Sequence, residues 1–153
     1  MNHFELGWDS ASRRCRNIVQ SLGIGPAGKL ATCAEDKLVC LWDVREALAA
    51  SKRDSSAGIV VEPYARLSCH TDVVEDVDWH NRDPNLVGSC GDDRLICLWD
   101  ARTGKHDKPV NVIKDAHAGD VNSMEFHPVN EHLLATGGSD KVVKLWDMRN
   151  LKA

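Results

Sequence analysis

Apolar and polar positions along this chain alternate in short runs broken by small and acidic residues, a pattern of strands and tight turns rather than helices. Three segments align without a gap: residues 32–43, 89–100 and 136–147. Each opens on a hydroxyl residue ten places before a Trp, carries an Asp six places before that Trp, and ends in Leu-Trp-Asp. A short strand, a turn at the small and acidic residues and a second, β-rich strand follow from that order. The expectation is one hairpin, used three times.

Two copies share a further block upstream. His70 lies nine residues before Trp79 and His117 nine before Phe126, with apolar residues at matching offsets between, and the aromatic precedes the turn Asp by 14 residues in both. With that spacing held fixed, the first copy opens at Phe4 and Trp8, its His would fall ahead of Met1, and 28 residues separate Trp8 from Asp36. The excess reads as an insertion near residues 10–27, either a loop or translated intron; a second lengthening falls near 45–58. The units so bounded run over about 1–67, 70–114 and 117–149.

Composition narrows the class without deciding it. The chain has 153 residues, 42% hydrophobic and 27% charged, enough for one domain with a sizeable core. A net charge of −4 disfavours direct nucleic-acid binding, which calls for a basic stripe; it suits a basic protein partner and equally suits plain solubility. Apolar runs fall short of the roughly 20 residues of a membrane span. The start lacks a signal peptide's basic and apolar regions, so an intracellular chain is expected. The six cysteines form no C-x-x-C pair and have no His at zinc spacing, so they read as small buried side chains in a reducing compartment.

His70, Ser89 and Asp93 hold the ingredients of a hydrolase triad. The same set recurs as His117, Thr136 and Asp140, and in part as Thr32 and Asp36. A catalytic nucleophile needs one activated setting rather than one per repeat, and no Gly-x-Ser-x-Gly surrounds Ser89. The expectation is therefore no catalytic residue, no cofactor and no metal.

The His…Trp-Asp units, at a period of about 40 to 50 residues, resemble the WD40 family, whose repeats build four-stranded propeller blades. The resemblance implies an all-β partial propeller of about three antiparallel blades, the last lacking its outer strand. Such an open arc exposes apolar faces and strand edges and is expected to self-associate or to be poorly soluble. The resemblance also implies a bracing role for the polar sets, in which the Trp indole donates to the hydroxyl, the hydroxyl meets the His and the His meets the turn Asp. Two sets are complete: Trp99, Ser89, His70 and Asp93, then Trp146, Thr136, His117 and Asp140. The set of Trp42, Thr32 and Asp36 is incomplete.

Residues 70–80, 98–104, 115–122, 134–141 and 145–152 resemble more closely the retinoblastoma-binding, MSI-type histone chaperone subfamily. That resemblance implies a nuclear, non-catalytic scaffold that binds histones or basic histone-tail peptides on the acidic top of the ring, as a subunit of chromatin assembly and modifying complexes. In the family, the fifth residue after each repeat's His faces the channel mouth; here it is Glu75, then Asn122, and by alignment Phe4. A carboxylate there pairs with Lys or Arg, and an aromatic stacks on a guanidinium. The bland alternatives are solvated surface for Glu75 and core packing for Phe4. A second functional reading rests on W-D-x-R at Arg45, Arg102 and Arg149, which resembles the receptors that dock the adaptor of cullin-4 ubiquitin ligases through the opposite face. Its bland counterpart is an exposed Arg closing a strand.

Overall fold

A computed structural model describes residues 19–45, 49, 61–102 and 108–151. Strands β1 (Val19–Ile24), β2 (Lys29–Ala34), β3 (Leu38–Asp43) and β4 (Ala65–Ser68) form one antiparallel sheet in chain order. Strands β5 (Val74–Trp79), β6 (Leu86–Gly91), β7 (Ile96–Asp100) and β8 (Asn111–Ile113) form the second. The third holds β9 (Val121–Phe126), β10 (Leu133–Gly138) and β11 (Val143–Asp147) and, among the described residues, has no fourth strand. This is the all-β arc of propeller blades that the repeats predict. Each aligned segment is the central hairpin of a blade, with Trp42, Trp99 and Trp146 facing Leu30, Val87 and Leu134 across the ladder.

The hairpins turn alike because the same side chain shapes each turn. Lys37, Arg94 and Lys141 adopt left-handed backbone at φ 68°, 62° and 66°, and their N–H groups bond back to Ala34, Gly91 and Gly138. The Asp before each accepts the backbone N–H two residues on, at 3.2 Å for Asp36, 3.1 Å for Asp93 and 3.1 Å for Asp140. That local bond offsets the cost of a non-glycine residue at positive φ.

Blades stack through their inner strands, and the two-residue strand period decides which side chain meets which blade. Val39 and Leu41 of the first blade pack with Val74, Val77 and Trp79 of the second. Ile96 and Leu98 of the second pack with Val121, Met124 and Phe126 of the third. Gly88 is required here, because a Cβ would lie 2.2 Å from Met124 and 3.0 Å from Phe126. Polar contacts run through the same seams. Asp76 accepts from Ser21 Oγ (2.6 Å) on one side and from Ser123 Oγ (3.2 Å) and Met124 N–H (2.9 Å) on the other, so one carboxylate links three blades. Asp78 accepts the Phe126 N–H at 3.0 Å.

One expectation is corrected. The fixed spacing puts the first inner strand at residues 4–8 and an insertion at 10–27, but the structure pairs Val19–Ile24 with β2 as that strand. Ile24 takes the ladder position of Trp79 and Phe126, opposite Leu30, where they stand opposite Val87 and Leu134. The turn to β2 is two residues shorter, six from Ile24 to Leu30 against eight from Trp79 to Val87. A 3-10 turn at Pro26–Gly28, with Ala27 and Gly28 at positive φ, makes the shortcut possible. Phe4 lies outside the described residues, as do most of the second lengthened segment and Cys15. Cys33, Cys40, Cys90 and Cys97 are buried, and burial pushes the Cys33 thiol up to about 12.

Candidate functional site

The polar sets of the second and third blades close as hydrogen-bonded chains. Trp99 Nε1–H donates to Ser89 Oγ at 2.9 Å, the Ser89 hydroxyl meets His70 Nε2 at 2.8 Å, and His70 Nδ1 meets Asp93 at 2.9 Å. The third blade repeats this with Trp146 to Thr136 (2.8 Å), Thr136 to His117 (2.8 Å) and His117 to Asp140 (3.0 Å). Asp93 and Asp140 also accept the N–H groups of Thr71 and Ala118, which ties the incoming loop to the hairpin turn. Burial raises both carboxyls, yet the bonds from His and backbone outweigh it and hold them below the ordinary Asp range. In the first blade Trp42 donates to Thr32 at 3.0 Å, and no His among the described residues joins them.

These geometries are unsuited to acyl transfer. Ser89 is fully buried with its hydroxyl held between indole and imidazole, so no substrate carbonyl can approach it. Among the described residues, no three His, Cys, Asp or Glu side chains converge as a metal site.

An open acidic face lies beside the quartets. In each blade the inner strand shifts register at one residue: Gln20 between Val19 and Ser21, Glu75 between Val74 and Asp76, and Asn122 between Val121 and Ser123. Such bulges re-aim a side chain away from the ladder. Glu75 and Asn122 therefore share one structural place, and Gln20 takes the place that alignment gives to Phe4. Spacing alone hides Gln20, whose signal is the common position of Ser21, Asp76 and Ser123 one residue further on. Burial and then the charges of Asp92, Asp120, Asp76 and Glu35 raise the Glu75 carboxyl above its ordinary range. Asp92 is raised in the same way, by burial and then by Asp120 and Asp72. In both, burial leads and the charges of neighbouring carboxylates add to it.

On the far ends of the central hairpins, each Trp-Asp dipeptide holds the Arg two residues later. Arg102 Nε and Nη2 reach Asp100 at 2.9 and 2.7 Å, and Arg149 reaches Asp147 at 2.8 and 2.6 Å. Arg45 and Asp43 form the same fork. The fork holds Asp100 and Asp147 down at about 2. The arginines are exposed, but they are tied locally.

Comparison with known families gives a match over most of the chain. Residues 13–43, 61–100 and 107–147 match the family described as WD domain, G-beta repeat. The chain is a member of the WD-repeat family. The first matched stretch contains β1 and leaves out residues 4–8, in keeping with the corrected register. WD-repeat proteins are generally non-enzymatic scaffolds that mediate protein–protein interaction. The buried quartets here fit that role, since they rigidify blades whose outer surfaces remain available.

Proposed function

We propose that this WD-repeat chain binds a Lys- or Arg-rich peptide, of the histone-tail class, on the acidic face around Glu75. The observation that carries the reading is the group of carboxylates, Asp92, Asp120, Asp76 and Glu35, around Glu75, whose charges add to burial in raising its carboxyl above the ordinary range. A bound ammonium or guanidinium relieves that repulsion and gains charge-assisted hydrogen bonds. Gln20 and Asn122 add neutral amides at the equivalent bulges of the neighbouring blades. A nuclear location and membership of chromatin assembly or modifying complexes follow from the same assignment.

The test is fluorescence anisotropy with labelled histone H3 and H4 tail peptides. Glu75→Lys should weaken binding at least about tenfold, equivalent to ~1.4 kcal/mol. Binding should also weaken as salt rises. Undiminished affinity in Glu75→Lys would end this reading. A second reading, docking of a cullin-4 ligase adaptor, draws on the exposure of Arg45, Arg102 and Arg149 at one place in each blade. It requires adaptor binding to fall in Arg102→Ala and to survive in Glu75→Lys.

A further inference from the structure

Each inner strand ends in a turn to the next strand, and the residue that opens this turn differs between the blades. Gly25, His80 and His127 hold one place, since their backbone N–H groups bond to the Lys29, Leu86 and Leu133 carbonyls, each at 2.9 Å. Pro84 and Glu131 hold another, each following the residue whose carbonyl closes the turn, Asp83 and Asn130. Between the second and third blades the His80 ring fills the space that these turns enclose. It packs edge-on against Phe126 with ring centres 5.0 Å apart, and its Nε2 meets the Glu131 carbonyl at 2.8 Å. His80 Nδ1 accepts from the Arg82 and Asp83 amides, so the proton sits on Nε2 and is donated across the seam.

Between the first and second blades the same space has no such occupant. Gly25 stands where His80 does, in a turn two residues shorter, and no side chain fits there: a Cβ would lie 2.6 Å from the Trp79 ring. What remains is a hollow of about 420 Å³, lined in part by Gly25, Pro26, Trp79, His80, Arg82 and Pro84. One wall is Trp79, the counterpart of Phe126, whose indole N–H is buried without a hydrogen-bond partner among the described residues. The Pro84 carbonyl, counterpart of the acceptor that His80 uses, meets no donor among the described residues. Two cations flank the hollow. Lys29 Nζ stands 5.8 Å from the centre of the Trp79 ring, and no carboxylate pairs with the exposed Arg82 among the described residues. The neighbouring Asp83 accepts the Asn85 N–H at 2.9 Å instead. The hollow lies at the opposite end of β5 from Glu75, and its charge is opposite too.

We propose that this hollow binds a tyrosine flanked by acidic residues, carried by a partner protein. The tyrosine ring takes the place that the His80 imidazole takes in the neighbouring seam, edge-on against Trp79 as that imidazole is against Phe126. Its hydroxyl both donates and accepts, and so suits the carbonyl of Pro84 and the indole N–H of Trp79. A histidine donates equally well, but its protonated form is repelled by Lys29 and Arg82, whereas a phenol stays neutral up to about pH 10. The acidic neighbours pair with the Arg82 guanidinium, which favours two-point bonding to a carboxylate. A basic peptide, the class proposed for the Glu75 face, is repelled here.

Fluorescence anisotropy with fluorescein-Gly-Asp-Tyr-Glu-Gly amide tests this, with circular dichroism as the check on folding. Binding should saturate below roughly 1 mM. Replacing the tyrosine of the peptide by alanine, or Arg82→Glu in the protein, should each weaken binding at least about tenfold. Lys141→Glu, the same charge change at an exposed turn of the third blade, should leave it unaltered. Absence of saturable binding overturns the proposal, as does an alanine peptide that binds as well as the tyrosine one. Equal losses in Arg82→Glu and Lys141→Glu overturn it too, because they would show attraction to net charge rather than to the hollow. Should Arg82→Glu misfold, proton NMR of the wild-type indole N–H groups decides. The Trp79 signal must shift on titration with the peptide while those of Trp99 and Trp146, held by Ser89 and Thr136, stay in place. A Trp79 signal that does not move overturns the proposal.

Discussion

At the scale of single residues, the hydroxyl of each quartet is the pivot, because it alone touches both indole and imidazole. Thr136 bonds Trp146 and His117, whereas Thr32 bonds Trp42. Replacement by valine keeps the volume and branching and deletes only the hydroxyl. Thr136→Val then strands a donor and a ring nitrogen and should cost about 2–4 kcal/mol, against about 1–2 kcal/mol for Thr32→Val, which strands one donor. Urea unfolding of the two variants measures the difference, and equal losses would mean that the imidazole contributes nothing to the brace. The hairpin part of each quartet is legible in the sequence because it is local: a Trp, a hydroxyl ten residues earlier and an Asp six residues earlier are placed by a single hairpin register, whereas His70 and His117 stand 23 residues before their Asp and their bonds are expected only from the resemblance to the WD40 family. The fork from Asp100 to Arg102 is local too, yet W-D-x-R does not say that the guanidinium turns back onto its own aspartate.

At the scale of strands and blades, the inner strands carry the fold's least readable chemistry. The sequence shows Asp76 as one polar residue in an alternating strand; the structure makes it the acceptor for Ser21, Ser123 and the Met124 amide. Nothing near Asp76 in the chain announces those partners, which stand 55, 47 and 48 residues away. The same holds for β1: a fixed aromatic-to-Asp spacing skipped it because its turn is two residues short and Ile24 replaces the aromatic. Asp76→Ala removes both seam contacts at once and leaves a buried strand amide unpaired, an expected loss of about 2–4 kcal/mol. Asp78→Ala, which across the seam gives up the Phe126 amide alone, should lose about half as much. Denaturant midpoints that rank the two in the opposite order would show that Asp76 does not couple the blades.

At the scale of the whole molecule, the arrangement is nearly one-dimensional, since the seams described join the second blade to the first and the third. Among the described residues the middle blade is covered on both faces and each outer blade on one, so stability should grade along the arc instead of being shared evenly. The tryptophans report this blade by blade. Trp99 is fully buried in the middle blade, while Trp146 is half-buried in a sheet whose strand β11 has no outer neighbour among the described residues. With 5-fluorotryptophan incorporated and the chain kept dilute, the fluorine resonance of Trp146 should reach its unfolded position at lower urea than that of Trp99. The gap arises because opening the third blade breaks one seam, whereas opening the middle blade breaks two. Coincident transitions would instead show that the Asp76 links make the three blades a single cooperative unit, with the acidic face and the quartets gained and lost together.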